Sequence, residues 1–171
     1  MSALQWSDAL SLDLPAMDDT HRAFVELLGV ACSAPDAQLV HVWQALIDHT
    51  DAHFDQEDRW MAQTRFSSTN CHSMQHKVVL DVMREGLAAG QAGDLATVRN
   101  MADELGPWFA NHAQSMDAAL ALHLRKTGYD PVTGVLSMPQ ALPAAEIHGC
   151  GSGGCGDRVE DDFASALASS V

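Results

Sequence analysis

The chain is short of positive charge. Nine Lys and Arg stand against 23 Asp and Glu, giving a formal net charge of −14 over 171 residues. Nucleic acid and anionic membrane both demand a basic surface, so neither is an expected partner. The acidic excess serves solubility instead. No apolar run approaches the ~20 residues of a membrane span. Met1 to Pro15 carries no Lys or Arg and so lacks the basic n-region of a signal peptide, which makes the cytoplasm the expected compartment. Cysteine is scarce as well. In a cytoplasmic chain, four Cys read as thiols or ligands rather than as a disulfide framework. Apolar residues still make up 47 % of the chain, which excludes disorder and suffices for one domain with a buried core and an extension.

The apolar residues recur at helical spacing in four stretches. Residues 1–17 read as an extended arm lying over the side of the fold, with Pro15 delaying the first helix. That helix opens near Met17 or Asp18 and carries Phe24, Leu27 and Leu28 after His21. Pro35 and Asp36 open the second, whose stripe is Leu39, Val42, Leu46, His49, His53, Glu57 and Trp60 in steps of three or four. The third carries His72, His76, Val79, Met83 and Leu87. A turn at Gly90 to Asp94 leads to the fourth, with Val98, Met101, Leu105, Trp108, His112, Met116 and Ala119. Pro107 is expected to kink it, and Gly128 and Pro131 mark its stop. Short connections between long helices favour antiparallel neighbours. The expected fold is all-α, an up-down-up-down four-helix bundle spanning 1–128 with its N-terminal arm, followed by a flexible Gly/Cys-containing tail over 129–171.

The polar members of the stripes are the informative ones. His53 and Glu57 are four apart, about 40° on a helix, so both leave one face. His72 and His76 repeat the spacing with two imidazoles. Burying such groups without partners is expensive, which argues that they bind something. His and Glu four apart is common on solvated faces, so one such pair alone says little. Alternating helix direction, however, brings His21, His53, Glu57, His72, His76, His112 and Asp117 to one end of the bundle, which scattered surface histidines would not share. Asp117 is the awkward member. Five residues beyond His112 is about 140° around a regular helix, and a local π-turn would bring it back. His49 reads either as a partner behind a ligand or as a satisfied core histidine. His41 and His123 read as surface residues, and Cys32 and Cys71 as small apolar fillers, with Cys71, beside His72, also open to oxidation. Cys150 and Cys155, with His148, suit either a metal or a redox disulfide, though they are too few for a closed zinc site.

With these residues in hand, the chain resembles a bacterial hemerythrin over about residues 6–120. The resemblance rests on Trp6, on Met17-Asp18-Asp19-Thr20-His21, on His53-Phe54-Asp55-Gln56-Glu57, on His72-Ser73-Met74-Gln75-His76, and on Trp108-Phe109-Ala110-Asn111-His112 with Asp117. It implies a non-haem centre of two iron ions. His72, His76 and His112 would bind one iron and His21 and His53 the other, with Glu57, Asp117 and a solvent oxygen as bridges. The uneven split leaves an open position on the two-histidine iron, which Trp108 and Phe109 would wall as an oxygen pocket. His49, Thr20 and Phe109 depart from residues frequent in the family, and the Cys tail lies outside the family core. The implied function is reversible binding of dioxygen for carriage, storage or local supply. The alternatives are an oxidoreductase acting on peroxide or nitric oxide, and an oxygen- or iron-sensing module with a redox or signalling partner reached through the tail. No general acid or nucleophile beyond the ligands is evident, which favours binding over an enzyme.

Overall fold

The computed structural model describes residues 4–66 and 71–144. Helix α1 runs Pro15–Ser33, α2 Asp36–Gln63, α3 Cys71–Gln91 and α4 Leu95–His112. A π-helical turn, Ala113–Asp117, joins α4 to α5, Ala118–Thr127, so the last two helices form one long rod. Helix α1 packs on α2, α2 on α3, α3 on α4, and α4 back on α1. This is the expected up-down-up-down four-helix bundle.

Local chemistry explains the boundaries. Pro15 does not delay α1 but is its first residue, where the missing N–H costs nothing and the fixed φ suits a helix. Helix α4 starts on Asp94, whose carboxylate accepts from Thr97 N at 3.1 Å and Thr97 Oγ1 at 2.6 Å. It then runs on through Pro107 as one helix. Gly128, with φ of 61°, closes α5 in the left-handed conformation.

The arm folds as expected along the bundle's flank. Leu10 and Leu14 are buried, and Leu4 and Trp6 pack against the core. Asp18 pins the arm by accepting from Leu12 N and Ser11 Oγ, each at 2.7 Å. The Arg22 guanidinium lies 4.7 Å from the Trp6 ring centroid.

Two apolar clusters fill the bundle. The larger holds Phe24, Leu28, Leu39, Trp43, Leu46, Val79, Met83, Leu105 and Phe109. The smaller holds Leu14, Met17, Trp60, Met61, Phe66, Leu120, Leu124 and Tyr129. In α1, α2 and the α4–α5 rod the polar stripe residues fall between members of the two clusters in sequence, so the bundle is layered apolar, polar, apolar.

Three further features differ from the sequence reading. His123 is not a surface residue; it is buried and its Nε2 donates to Thr64 O at 2.9 Å, tying α5 to the end of α2. Cys71 is disulfide-bonded, which favours the oxidisable reading over the filler one, whereas Cys32 is a half-buried free thiol. The chain also does not leave the bundle after Gly128. Ser137 N donates to Gly128 O, Met138 N to Thr127 O, and Arg65 Nη1 to Pro143 O. Tyr129 is buried beside Phe66 and Leu124, with its hydroxyl on Gln63 Oε1. The expected Gly/Cys segment with His148, Cys150 and Cys155 lies outside the described residues. These contacts generate a stability prediction. Truncation after Gly128 should cost about 2 kcal/mol more than truncation after Ala144, through loss of the Tyr129 side chain. Equal melting of the two truncated chains would show that the 129–144 segment contributes nothing to stability.

Candidate metal centre

Helical register and one irregularity bring the seven polar residues together. His53 and Glu57 sit one turn apart on α2, His72 and His76 one turn apart on α3, and His21 comes from α1. His112 ends α4, and Asp117 ends the π turn. Bonds from residue i to i+5 place residues five apart on one face, so the turn swings Asp117 back over His112. It also re-phases the remainder of the rod. The regular stripe would continue through Met116 and Ala119, but both are only half-buried, and the inward residues are Asp117, Leu120, Ala121 and Leu124.

All seven side chains are buried, with Glu57, Asp117 and His21 at 0 % exposure. They form two groups that share both carboxylates: Glu57, His72, His76, His112 and Asp117 in one, and His21, His53, Glu57 and Asp117 in the other. The donor atoms of each group lie within 4.8 Å of one another. Asp117 Oδ1 is 3.0 Å from His72 Nε2 and 3.1 Å from His112 Nε2, and its Oδ2 is 3.2 Å from His21 Nε2. Glu57 Oε1 is 3.0 Å from His53 Nε2, while Oε2 is 3.3 Å from His72 Nε2 and 3.4 Å from His76 Nε2. The Nε2 atoms of His76 and His112 face each other at 3.3 Å.

Many of these close approaches lack hydrogen-bond geometry. His21 Nε2, Glu57 Oε2 and both Asp117 oxygens are buried with no hydrogen-bond partner among the described residues. Orphaned acceptors that converge in this way are expensive unless something sits among them. Imidazole nitrogens and carboxylate oxygens together suit a transition-metal cation, so the donor set fits such an ion.

Electrostatics points the same way. Burial alone would lower the pKa of His21 and His72, but the facing carboxylates of Asp117 and Glu57 raise both to about 9. His112, fully buried with His72 and His76 nearby, is pushed down to about 4 despite Asp117. Burial works against the ionised forms of Glu57 and Asp117, and in Asp117 the Glu57 charge does so too. The surrounding histidines nonetheless hold both carboxyls well below the usual carboxylate range. Without a metal ion the cluster is thus balanced by protons on His21 and His72.

Aromatic rings close the site. Phe54 stacks on His76 with centroids 3.9 Å apart, and Trp108 stacks on His112 at 4.8 Å. Phe109 meets His21 edge-on at 5.2 Å and stacks on Phe24 at 4.2 Å. The two residues expected to wall one pocket therefore stand on opposite halves: Phe109 against the two-histidine group and Trp108 against the three-histidine group. The sequence reading did not single out Asp58 and Gln75, whose oxygens lie 3.2 Å from Nδ1 of His76 and of His112. Their only signal was position beside the candidate ligands, which many surface residues share. His49 is half-buried and bonds through Nε2 to Thr20 O at 3.1 Å.

The hemerythrin HHE cation-binding domain model matches residues 12–122. The chain belongs to that family. Among curated hemerythrin relatives, the bacteriohemerythrin of Ralstonia nicotianae is 38 % identical over 130 residues, covering 76 % of this chain and 95 % of that protein. The bacteriohemerythrin of Stenotrophomonas maltophilia is 27 % identical over 129 residues, covering 71 % and 81 %. That of Pseudomonas paraeruginosa is 26 % identical over 126 residues, covering 69 % and 79 %. No solved structure matches significantly. A hemerythrin domain is a cation-binding one, and the two donor groups are where this bundle could hold its cations.

The protonated histidines generate a prediction. Cation uptake must displace their protons, so loading the metal-free chain at pH 7 should release about two protons, read with an indicator dye in weakly buffered solution. No release would contradict the charge balance described. The same pairing sets the stability of the metal-free chain. With folded pKa values raised to about 9, the contribution of His21 and His72 is whole below the ordinary 6.5 and is lost as pH rises through about 9. Melting of the metal-free chain should therefore fall between pH 7 and pH 10.

Proposed function

We propose that this chain is a non-haem di-iron protein that binds dioxygen reversibly, for carriage, storage or local supply. The observation that carries the reading is the pair of donor groups that share Glu57 and Asp117 inside an apolar interior. In this reading His72, His76 and His112 would hold one iron and His21 and His53 the other, with Glu57 and Asp117 offering oxygens to both. Two bound irons would supply the electrons that let dioxygen bind and would recover them on its release.

The chain's own residues make the binding reversible. The uneven share of imidazoles leaves the two-histidine half with room for a small ligand. Phe109 and Phe24 back His21 with apolar surface. Such a wall would keep water and protons away from the two-histidine half. Trp108 and Phe54 cover His112 and His76 and hold their rings in place.

The proposal places the protein in the cytoplasm. The disulfide at Cys71 weighs against that compartment, because such bonds persist mainly in oxidising ones. No helix among the described residues is long and apolar enough to cross a membrane.

The deciding experiment reduces the iron-loaded protein anaerobically, admits oxygen, and follows the absorption spectrum through repeated deoxygenation. A binding protein returns the same oxygen-dependent band over many cycles. Repeated turnover of peroxide or nitric oxide with added reductant, and no persistent band, would instead indicate an oxidoreductase. His76→Ala should lose at least one of the two irons and the oxygen response with it; full iron content and a normal response would sink the ligand assignment. Phe109→Ala should keep its iron, lose about 3 kcal/mol of stability to the cavity, admit azide faster, and shorten the life of the oxygen-dependent band. Unchanged azide and decay rates would show that Phe109 does not guard the site.

A further inference from the structure

His76 and His112 differ from His21 and His53 in what stands behind their rings. The Nε2 atoms of His76 and His112 face the centre, and their Nδ1 atoms face away from it. His76 Nδ1 lies 3.2 Å from Asp58 Oδ1, and that oxygen also accepts from Ser73 Oγ at 2.9 Å. His112 Nδ1 lies 3.2 Å from Gln75 Oε1. A carboxylate oxygen and an amide oxygen only accept, so each Nδ1 carries a hydrogen, and Nε2 is the nitrogen each ring offers to a metal. That is the tautomer a metal ligand needs. The two supports also cross between helices. Asp58 on α2 holds a histidine of α3, and Gln75 on α3 holds a histidine of α4.

The other half has no such support. Nδ1 of His21 and Nδ1 of His53 are buried without a hydrogen-bond partner among the described residues. His49, one turn before His53, is committed elsewhere, to the backbone oxygen of Thr20. Helix α1, which brings His21, is outside the α2–α3–α4 chain of supports. Rings with no partner behind Nδ1 reorient more easily than rings held there, and their ligand basicity is not raised by such a partner.

We propose that Asp58 and Gln75 are positioning residues that fix the tautomer and orientation of His76 and His112, so that the three-histidine half fills first and empties last. The inference rests on the two-iron reading above and adds an order of loading to it. Asp58 carries the larger share, since its charge strengthens the bond to the imidazole N–H while Gln75 offers a neutral dipole.

The test follows metal rather than oxygen. The full chain is loaded anaerobically with ferrous iron, challenged with excess chelator, and the release is followed in time. The wild type should release its two irons in two phases. Asp58→Ala should accelerate the slower phase about 10- to 100-fold and leave the faster phase alone, and Gln75→Ala should do the same to a smaller degree. Asp58→Asn, which keeps an acceptor oxygen, should restore much of the slow release. Mössbauer spectra of protein given one equivalent of labelled iron should show one dominant environment in the wild type and a mixture in Asp58→Ala. A purely structural role would speed both phases alike and lower the melting temperature of the metal-free variant. Equal acceleration of both phases, or an unmoved slow phase in both alanine variants, overturns the proposal. A wild-type chain that takes up fewer than two irons overturns the two-iron reading before any variant is made, and this inference with it.

Discussion

Two carboxylates, Glu57 and Asp117, stand in the middle of the bundle at 0 % exposure, each facing imidazoles from several helices. An ionised carboxylate without a partner in such a place would be prohibitively costly. Satisfying these two shapes much else in the fold. Each needs positive charge or a cation on both of its oxygens, so the four helical rods must bring donors to one level. Helix α1 supplies one histidine there, α2 one, α3 two and α4 one. The antiparallel order does this with short connections, since α1 and α3 present residues near their starts where α2 presents residues near its end and the α4–α5 rod presents its π turn.

The layer so formed divides the core. Phe24, Phe54 and Phe109 sit on one side, and Met17, Trp60 and Leu120 on the other. Neither apolar cluster can slide past the polar layer without breaking close nitrogen–oxygen approaches on every rod. The layer therefore fixes helix register, which apolar packing alone specifies loosely. Aromatic rings against His76, His112 and His21 cover the layer with apolar surface and restrict the imidazoles. Binding and packing are in this sense one problem: an ion that ties the donors also ties the rods, and rods that are well packed hold the donors ready.

Most of the architecture was legible in the sequence because it is written in spacing. The pairs His53/Glu57 and His72/His76 have the helical period, and the stripes around them name the inward face. The displaced position of Asp117 was legible as well, since a carboxylate five residues beyond His112 reaches the same face only with an extra residue in the turn. Its effect downstream was harder to see: Met116 and Ala119 continue the regular stripe yet are half-buried, because the π turn advances the face by one residue. His123 could not be told from a surface histidine, as its partner is a backbone carbonyl fifty-nine residues away, and backbone partners leave no mark in sequence. The supports behind His76 and His112 were hidden for a related reason. Asp58 and Gln75 adjoin candidate ligands along the chain, but each serves a ring on a different helix.

The π turn between α4 and α5 also bears on how this rod tolerates change in length. Each residue of a helix turns the chain by about 100°. Before the turn the rod shows Phe109 and His112 inward, and after it Asp117, Leu120 and Leu124. Loss of one residue in the regular part of α4 or α5 would swing everything beyond it by that angle, and part of the inward face would leave the core. Loss of one residue from Ala113–Met116 has a different outcome. It leaves four steps between His112 and the carboxylate, the spacing of an ordinary helical turn, so the two halves of the rod keep their common face. The rod is thus one residue longer than its two faces require, and the surplus is stored beside the ligands. That makes this short stretch the place where the helix can lose a residue and keep its phase, although it lies against the most constrained part of the interior.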